Sequence, residues 1–239
     1  VSKNNKFKRE ARKSNGYEIN NENLIKFEHT KQKLLPLNES QRLYISTLLH
    51  DDFVIGCGSA GTGKTYIAAR IAASIYMTNR NIRNIILTRP NVEVGQKMGY
   101  LPGELHEKYA PYLIPFQKGL RDELGNKYDN DLYNRIMPKP LAYMRGETFD
   151  DSVILADEAQ NMTIVEMKML LTRIGINSKV FITGDNKQSD IRGENGLDWL
   201  INQIRHQGLN YDIVQFRDID CVRSPLCKSM LRLIDNEVV

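Results

Sequence analysis

Short apolar runs alternate with helical repeats along this chain. Phe53-Val54-Ile55 is the first run; Asn84 to Thr88 (NIILT), Val153 to Ala156 (VILA), Lys179 to Thr183 (KVFIT) and Tyr211 to Phe216 follow. Runs this short and apolar suit strands buried on both faces. Residues 141 to 144 (LAYM) are a further strand candidate. Between the runs, Ile67, Ile71 and Ile75 recur every four residues over Thr65 to Asn79, which predicts a helix with one buried face. Helices are also predicted over Asn38 to Leu49, with Ile45, Leu48 and Leu49 inward, and around Leu197, Leu200, Ile201 and Ile204, with Trp199 unassigned. Thr163-x-x-Glu166 reads as a capping box opening a helix whose apolar face is Met167, Leu170, Leu171 and Ile174. Ser224-Pro225 starts the last helix, a cap followed by proline, with Leu226, Met230, Leu233 and Ile234 expected to face inward. Alternating strands and helices predict an α/β fold, a parallel sheet flanked by helices.

Composition changes this picture little. A length of 239 residues suits one large domain, or one domain with appendages. No apolar run approaches the roughly 18 residues that a membrane span needs. The first 16 residues lack the apolar stretch of a secretion signal, so the expected location is cytoplasmic, with no membrane partner. Cys57, Cys221 and Cys227 show neither disulfide arithmetic nor paired metal spacing, and the four histidines form no cluster.

Charge is unevenly placed. Residues 1 to 13 hold Lys3, Lys6, Lys8, Arg9, Arg12 and Lys13 against Glu10, whereas residues 14 to 239 carry 27 basic against 28 acidic side chains. The net charge of +4 therefore belongs to the tail. Such a tail suits contact with RNA, DNA or acidic protein through counterion release. A solvated, flexible arm is the equally good alternative. Residues 1–36 are polar apart from Leu24, Ile25 and Phe27, and Pro36 closes them; the folded domain is expected over 37–239.

The chemistry gathers after the first strand. Gly58-Ser59-Ala60-Gly61-Thr62-Gly63-Lys64-Thr65 fits the phosphate-binding loop pattern between a strand and a helix. Its glycines let successive N–H groups turn inward toward phosphate oxygens. Lys64 is expected to reach the outer phosphates and the Thr65 hydroxyl to take one magnesium position. Strand, loop and helix stand in the required order, which argues against a chance glycine-rich turn.

Other candidates lie at the ends of the later strands. Val153 to Ala156 runs into Asp157-Glu158, which delivers two carboxylates where ligands bind in such sheets. Asp157 suits the magnesium shell, and Glu158 suits polarising an attacking water. Gly184-Asp185-x-x-Gln188 follows the next strand; Gln188 could sense a terminal phosphate, or the segment could be an ordinary turn. Arg223, on a loop before the last helix, reads either as an arginine finger or as a partner of Asp218 or Asp220. Gln41 reads either as part of a capping box with Asn38 or as a contact to an adenine edge. Residues 91–138 mix Tyr100, Tyr109, Tyr112, Tyr128 and Tyr133 with Lys97, Lys108, Lys118 and Arg121. Such a mixture could stack single-stranded nucleic acid, but tyrosines packing small helices onto the sheet are preferred.

Taken together, GSAGTGKT, TRPNVEVGQKMGYLPGELHEKYAPYLIPF, YMRGETFDDSVILADEAQN, FITGDNKQSDI and DCVRSPL resemble the PhoH family of phosphate-starvation-inducible ATPases, over roughly residues 37 to 235. The run after Arg89 is the most telling, since generic phosphate-loop ATPases lack it. The resemblance implies a P-loop NTPase with a single RecA-like core, related to superfamily-one helicases, using ATP and Mg. In such cores the strand bearing the sensor Gln lies between the two Walker strands. By the same resemblance Gln41 becomes an adenine contact, Gln188 the sensor and Arg223 the arginine finger. Arg89 and Thr148 fall where helicases touch the nucleic-acid backbone, with Arg145 nearby. Those helicases complete their site with a second core, which 239 residues cannot hold. Arg223 is therefore expected to act in trans within a ring, a homohexamer.

The leading expectation is a Mg-dependent ATPase working on single-stranded RNA or DNA as a helicase-like motor. A nucleotide-gated adaptor with slow hydrolysis is the alternative. A small-molecule kinase is weaker, because no acceptor site or lid is evident and the acidic pair suits water activation.

Overall fold

A computed structural model describes residues 19–20, 24–25, 33–90 and 105–235. The basic stretch 1–13 and the run holding Lys97 and Tyr100 lie outside these residues. So do the side chains of Lys108, Tyr109, Tyr112, Leu233 and Ile234.

Two short strands, β1 (Ile19–Asn20) and β2 (Leu24–Ile25), pair antiparallel. The main body follows as α1 (Glu39–His50), β3 (Phe53–Gly58), α2 (Lys64–Thr78), β4 (Asn84–Thr88), α3 (Leu105–Leu124) and α4 (Lys127–Asp131). It continues with β5 (Ile136–Pro138), β6 (Ser152–Ala156), α5 (Ile164–Leu171), β7 (Lys179–Gly184), α6 (Gly196–His206), β8 (Asp212–Phe216) and α7 (Pro225–Asp235). Strands β3 to β8 form one six-stranded sheet in the order β5-β4-β6-β7-β3-β8, every pairing parallel. The phosphate-loop strand β3 and the acid-bearing strand β6 thus sit either side of β7, as the resemblance implied. All their functional ends open on one edge of the sheet.

Each face of the sheet has its own core. Val54, Leu87, Leu155 and Phe181 pack under α1, α2 and α3, while Ile55, Ile86, Ile154 and Ile182 pack under α5 and α6. Alternation within single strands sends neighbours to opposite cores, which is why both helix layers are needed. The capping box at Thr163 and Glu166 is present, and Asn38 and Asn195 cap α1 and α6. Trp199 is partly buried in the second core, with the Lys168 ammonium 5.0 Å from its ring centre.

Helix α3 is bolted to the phosphate-loop helix. Gly119 lets the two approach so closely that a Cβ there would lie 2.7 Å from the Tyr66 carbonyl oxygen. Alongside, Arg70 and Glu123 form a buried ion pair at 2.7 Å, their side chains 1% and 2% exposed. Tyr128 is buried beneath the Arg121 guanidinium, and Tyr133 packs against the same core, so these two tyrosines have the packing role.

Two expectations are corrected. Residues Leu141–Tyr143 form a 3-10 turn, not a strand; Leu141 and Met144 are buried three residues apart, a turn spacing rather than alternation. The strand that closes this edge is β5, pairing with β4 between Leu132 and Pro140. The last helix also does not turn Leu226 and Met230 inward: they are 71% and 46% exposed. Val214 and Phe216 of β8 are already covered, Phe216 by Tyr44 of α1 in an edge-to-face contact, so α7 finds no free sheet to cover.

Candidate functional site

The loop after β3 folds around its own glycines. At Gly58, φ is +113° and a Cβ would lie 2.0 Å from the Phe216 carbonyl oxygen, a position no other residue can occupy. Lys64 is buried and turned back into the loop, donating to the carbonyl oxygens of Gly58 at 2.5 Å and Ser59 at 2.8 Å. Burial lowers its pKa, opposed by the nearby Asp185, Asp157 and Glu158. A lysine held by carbonyls in this way makes no carboxylate bond and can turn outward to an arriving phosphate.

Across the loop stands the end of β6. Asp157 Oδ1 accepts from the Thr65 hydroxyl at 2.8 Å and from the Thr183 hydroxyl at 2.5 Å. By donating its proton to Asp157, Thr65 turns its oxygen lone pairs toward the cavity, the arrangement a magnesium ligand requires. Burial raises the pKa of Asp157 and likewise of Asp185. Asp185 Oδ2 is buried and has no hydrogen-bond partner among the described residues. Among the described residues no cluster of three or more His, Cys, Asp or Glu could hold a metal. The Thr65 hydroxyl and the Asp157 carboxylate, two oxygen donors side by side at the phosphate loop, fit magnesium, an ion that keeps several waters and leans on substrate phosphates. Asp157 and Thr65 would hold it, and it would neutralise charge on a transferring phosphoryl group.

A cavity of 660 Å³ joins these pieces. Gln41, Ala60, Gly61, Thr62, Gly63, Lys64, Thr65, Asp157, Glu158, Gln188 and Arg223 all line it, as do Gly184 and Asp185. Gly58 and Ser59 sit behind, where the Ser59 hydroxyl donates to Asp218. That bond depresses the Asp218 pKa, and Lys187 reaches the same carboxylate at 3.4 Å. Gln41 is buried: its Nε2 donates to the Thr62 carbonyl at 2.8 Å, and its Oε1 accepts from Leu37 N at 2.8 Å. Each end of the amide keeps one further bonding position, so the cap-like contact and a base contact are compatible. Leu34, Leu35, Leu37, Pro115 and Lys118 complete the wall beside it.

The loop after β8 is latched over the phosphate loop. Val222 N donates to Gly61 O at 3.0 Å, and the Arg223 side chain lies where a Gly61 Cβ would be, 2.8 Å from its Cδ and Nε. Arg223 therefore lines the cavity of its own chain. The Val222–Gly61 bond holds the Arg223 loop at this place. Arg89 follows Thr88, whose carbonyl accepts from Asp157 N at 3.0 Å, and its charge acts on Asp157. Arg145 and Thr148 are exposed on the β5–β6 connection and are not part of the cavity.

The family profile described as PhoH-like protein matches residues 33–235. The chain belongs to the PhoH family. It is 43% identical over 202 residues to a PhoH-like protein of Bacillus subtilis (strain 168), covering 82% of this chain and 62% of that one. It is 38% identical over 204 residues to Protein PhoH of Escherichia coli (strain K12), covering 83% of this chain and 57% of that one. This PhoH chain thus spans less than two thirds of either relative. In fold the chain is similar to the large terminase of a thermophilic bacteriophage, which superposes with a TM-score of 0.53 at 11% identity, over 82% of this chain and 50% of that one.

Sequence reasoning on this PhoH chain missed Thr183, Gln160, Asp218 and the apolar wall at Leu34 to Leu37. Thr183 ends a strand next to Asp157, and strand order would have found it. Gln160 stood in the quoted DEAQN string without a role. Asp218 reads from the sequence only as a partner for Arg223, since nothing in sequence spacing links it to Ser59.

Proposed function

We propose that this PhoH chain binds ATP with magnesium and hydrolyses it. The observation that carries the reading is the meeting, in one cavity, of the Lys64–Thr65 end of the phosphate loop with Asp157, Glu158, Gln188 and Arg223. The loop and Lys64 hold the phosphates, Thr65 and Asp157 hold magnesium, and Glu158 orients the water. Gln188 and Arg223 stabilise charge that develops during transfer. Gln41 and the leucine wall take the adenine. Arg223 acts on its own chain's nucleotide. Mixing Arg223→Ala with Glu158→Gln protein should then restore no turnover, and rescue would return the finger to a neighbour.

The proposal extends to a nucleic-acid motor, with Arg89, Arg145 and Thr148 on the strand. Arg89 beside Asp157 supports it, because the same edge would carry both nucleotide and polymer. Assembly of several copies, a homohexamer by the family resemblance, is part of the proposal; the exposed Ile219, Val222, Leu226 and Met230 give it an apolar surface to use. Steady-state ATP hydrolysis with and without single-stranded RNA and DNA, at two salt concentrations, tests the motor. Stimulation that fades with salt is expected.

A second reading is a nucleotide-gated adaptor. It is favoured by Val222, which lines the cavity while remaining 40% exposed at the start of that apolar surface. Slow hydrolysis indifferent to either polymer would select it over the motor.

A further inference from the structure

We infer that Gln160 is a positioning residue that holds the carboxylate of Glu158 and couples it to the loop bearing Gln188. The inference rests on the proposed hydrolysis and adds a part that the phosphate loop and acidic pair do not supply.

Gln160 follows the acidic pair by two residues and is 2% exposed. Its amide spans two loops. Nε2 donates to Glu158 Oε2 at 2.6 Å, and Oε1 accepts from the backbone N–H of Asp185 at 2.9 Å. The contact is reinforced on both sides: Ser189 Oγ donates to the Gln160 carbonyl at 2.9 Å, and Asp190 N donates to Asn161 Oδ1 at 2.8 Å. Gly184 makes room, since a Cβ there would stand 2.8 Å from Gln160 Oε1. Residues 158–161 and 184–190 are therefore zipped together with one side chain at the centre.

Two consequences follow. A carboxylate that polarises water must present one oxygen in a fixed direction. Glu158 lies in the left-handed region at φ +54°, and among the described residues no other hydrogen bond holds its side chain, which turns about three bonds. The Gln160 donor pins Oε2 and so directs Oε1. The other end of the amide is tied to Asp185, three residues before Gln188. A terminal phosphate that draws Gln188 inward moves the Asp185 N–H, and the amide passes that movement to Glu158. Orientation of the base thereby depends on phosphate contact, a dependence that proximity alone would not give.

The test compares Gln160→Met, Gln160→Glu and Glu158→Gln with the parent protein, measuring kcat, KM, ATP affinity by direct binding and melting temperature. Gln160→Met removes both bonds at similar volume. Gln160→Glu keeps an acceptor for Asp185 but sets a negative charge against Glu158. Both should lower kcat by about tenfold to a hundredfold with ATP affinity nearly unchanged. Gln160→Met combined with Gln188→Ala should lose less than the product of the two single losses, because the residues act in series. Wild-type kcat in both Gln160 variants, with Glu158→Gln inactive, would overturn the inference and leave the hydrolysis reading standing. Equal loss of affinity, melting temperature and kcat would make Gln160 merely structural and overturn it as well. Should Gln160→Met fail to fold, Gln160→Glu decides by the same criteria. An inactive parent, or Glu158→Gln as active as the parent, would instead defeat the hydrolysis reading itself.

Discussion

The two halves of the site are held in different ways. The phosphate loop is shaped by its own backbone: glycines at positive φ, carbonyls gathered on Lys64, and a backbone bond from Val222 to Gly61. The acidic pair and the Gln188 loop are joined instead by side chains, with Gln160 in the middle. A backbone cradle is rigid and suits binding a ligand whose shape does not change. A side-chain link has alternative rotamers and suits a step that must respond to the ligand. Binding and turnover should therefore separate when the halves are perturbed one at a time.

The largest expected effect is on the side-chain half. Glu158→Gln should lower turnover by about 10² to 10⁴ while ATP affinity stays near that of the parent, measured by single-turnover hydrolysis and direct binding. Lost binding would mean that Glu158 holds the nucleotide, not the water. On the backbone half, Lys64→Ala should weaken ATP binding by about 1.5–3 kcal/mol, the scale of a charged hydrogen bond. Unchanged affinity would remove Lys64 from the phosphate site.

Gly61→Ala should be milder. Its φ of +72° costs a Cβ-bearing residue about 1–2 kcal/mol, and the new methyl displaces Arg223. A lower melting temperature together with slower turnover is expected; a drop in stability alone would say that Arg223 does not act on its own chain's nucleotide.

The smallest effect concerns how the phosphate-loop helix is anchored. Burial lifts the Glu123 carboxyl from its ordinary 4.5 to about 7, against the pull of Arg70. A carboxyl whose folded value lies above its unfolded value binds more protons when folded. Its contribution to stability is thus full below about 4.5 and is lost as pH rises through about 7. Urea midpoints should decline over that window and flatten in Glu123→Gln. Equal slopes in the two proteins would place the pH dependence elsewhere.

The difference between the halves also explains what the sequence revealed. Gly58 to Thr65 is a contiguous pattern whose glycines at 58, 61 and 63 are required by local backbone shape, so it reads directly. The apolar run before Asp157 and the capping box at Thr163 are local in the same sense. The Ser59–Asp218 bond spans 159 positions and Gln160–Asp185 spans 25, and no periodicity reports either. Leu226 and Met230 show the opposite limit. Their spacing gave an apolar helix face correctly, but whether a face is covered depends on what remains of the sheet, which spacing does not encode.

Phosphate release from ATP, with and without magnesium, in the parent protein and in Glu158→Gln decides whether the cavity of Lys64, Asp157 and Glu158 hydrolyses ATP. Magnesium-dependent release by the parent and almost none by the variant is expected. Equal release by both proteins, or none by either, would mean that this cavity does not hydrolyse ATP in the proposed way.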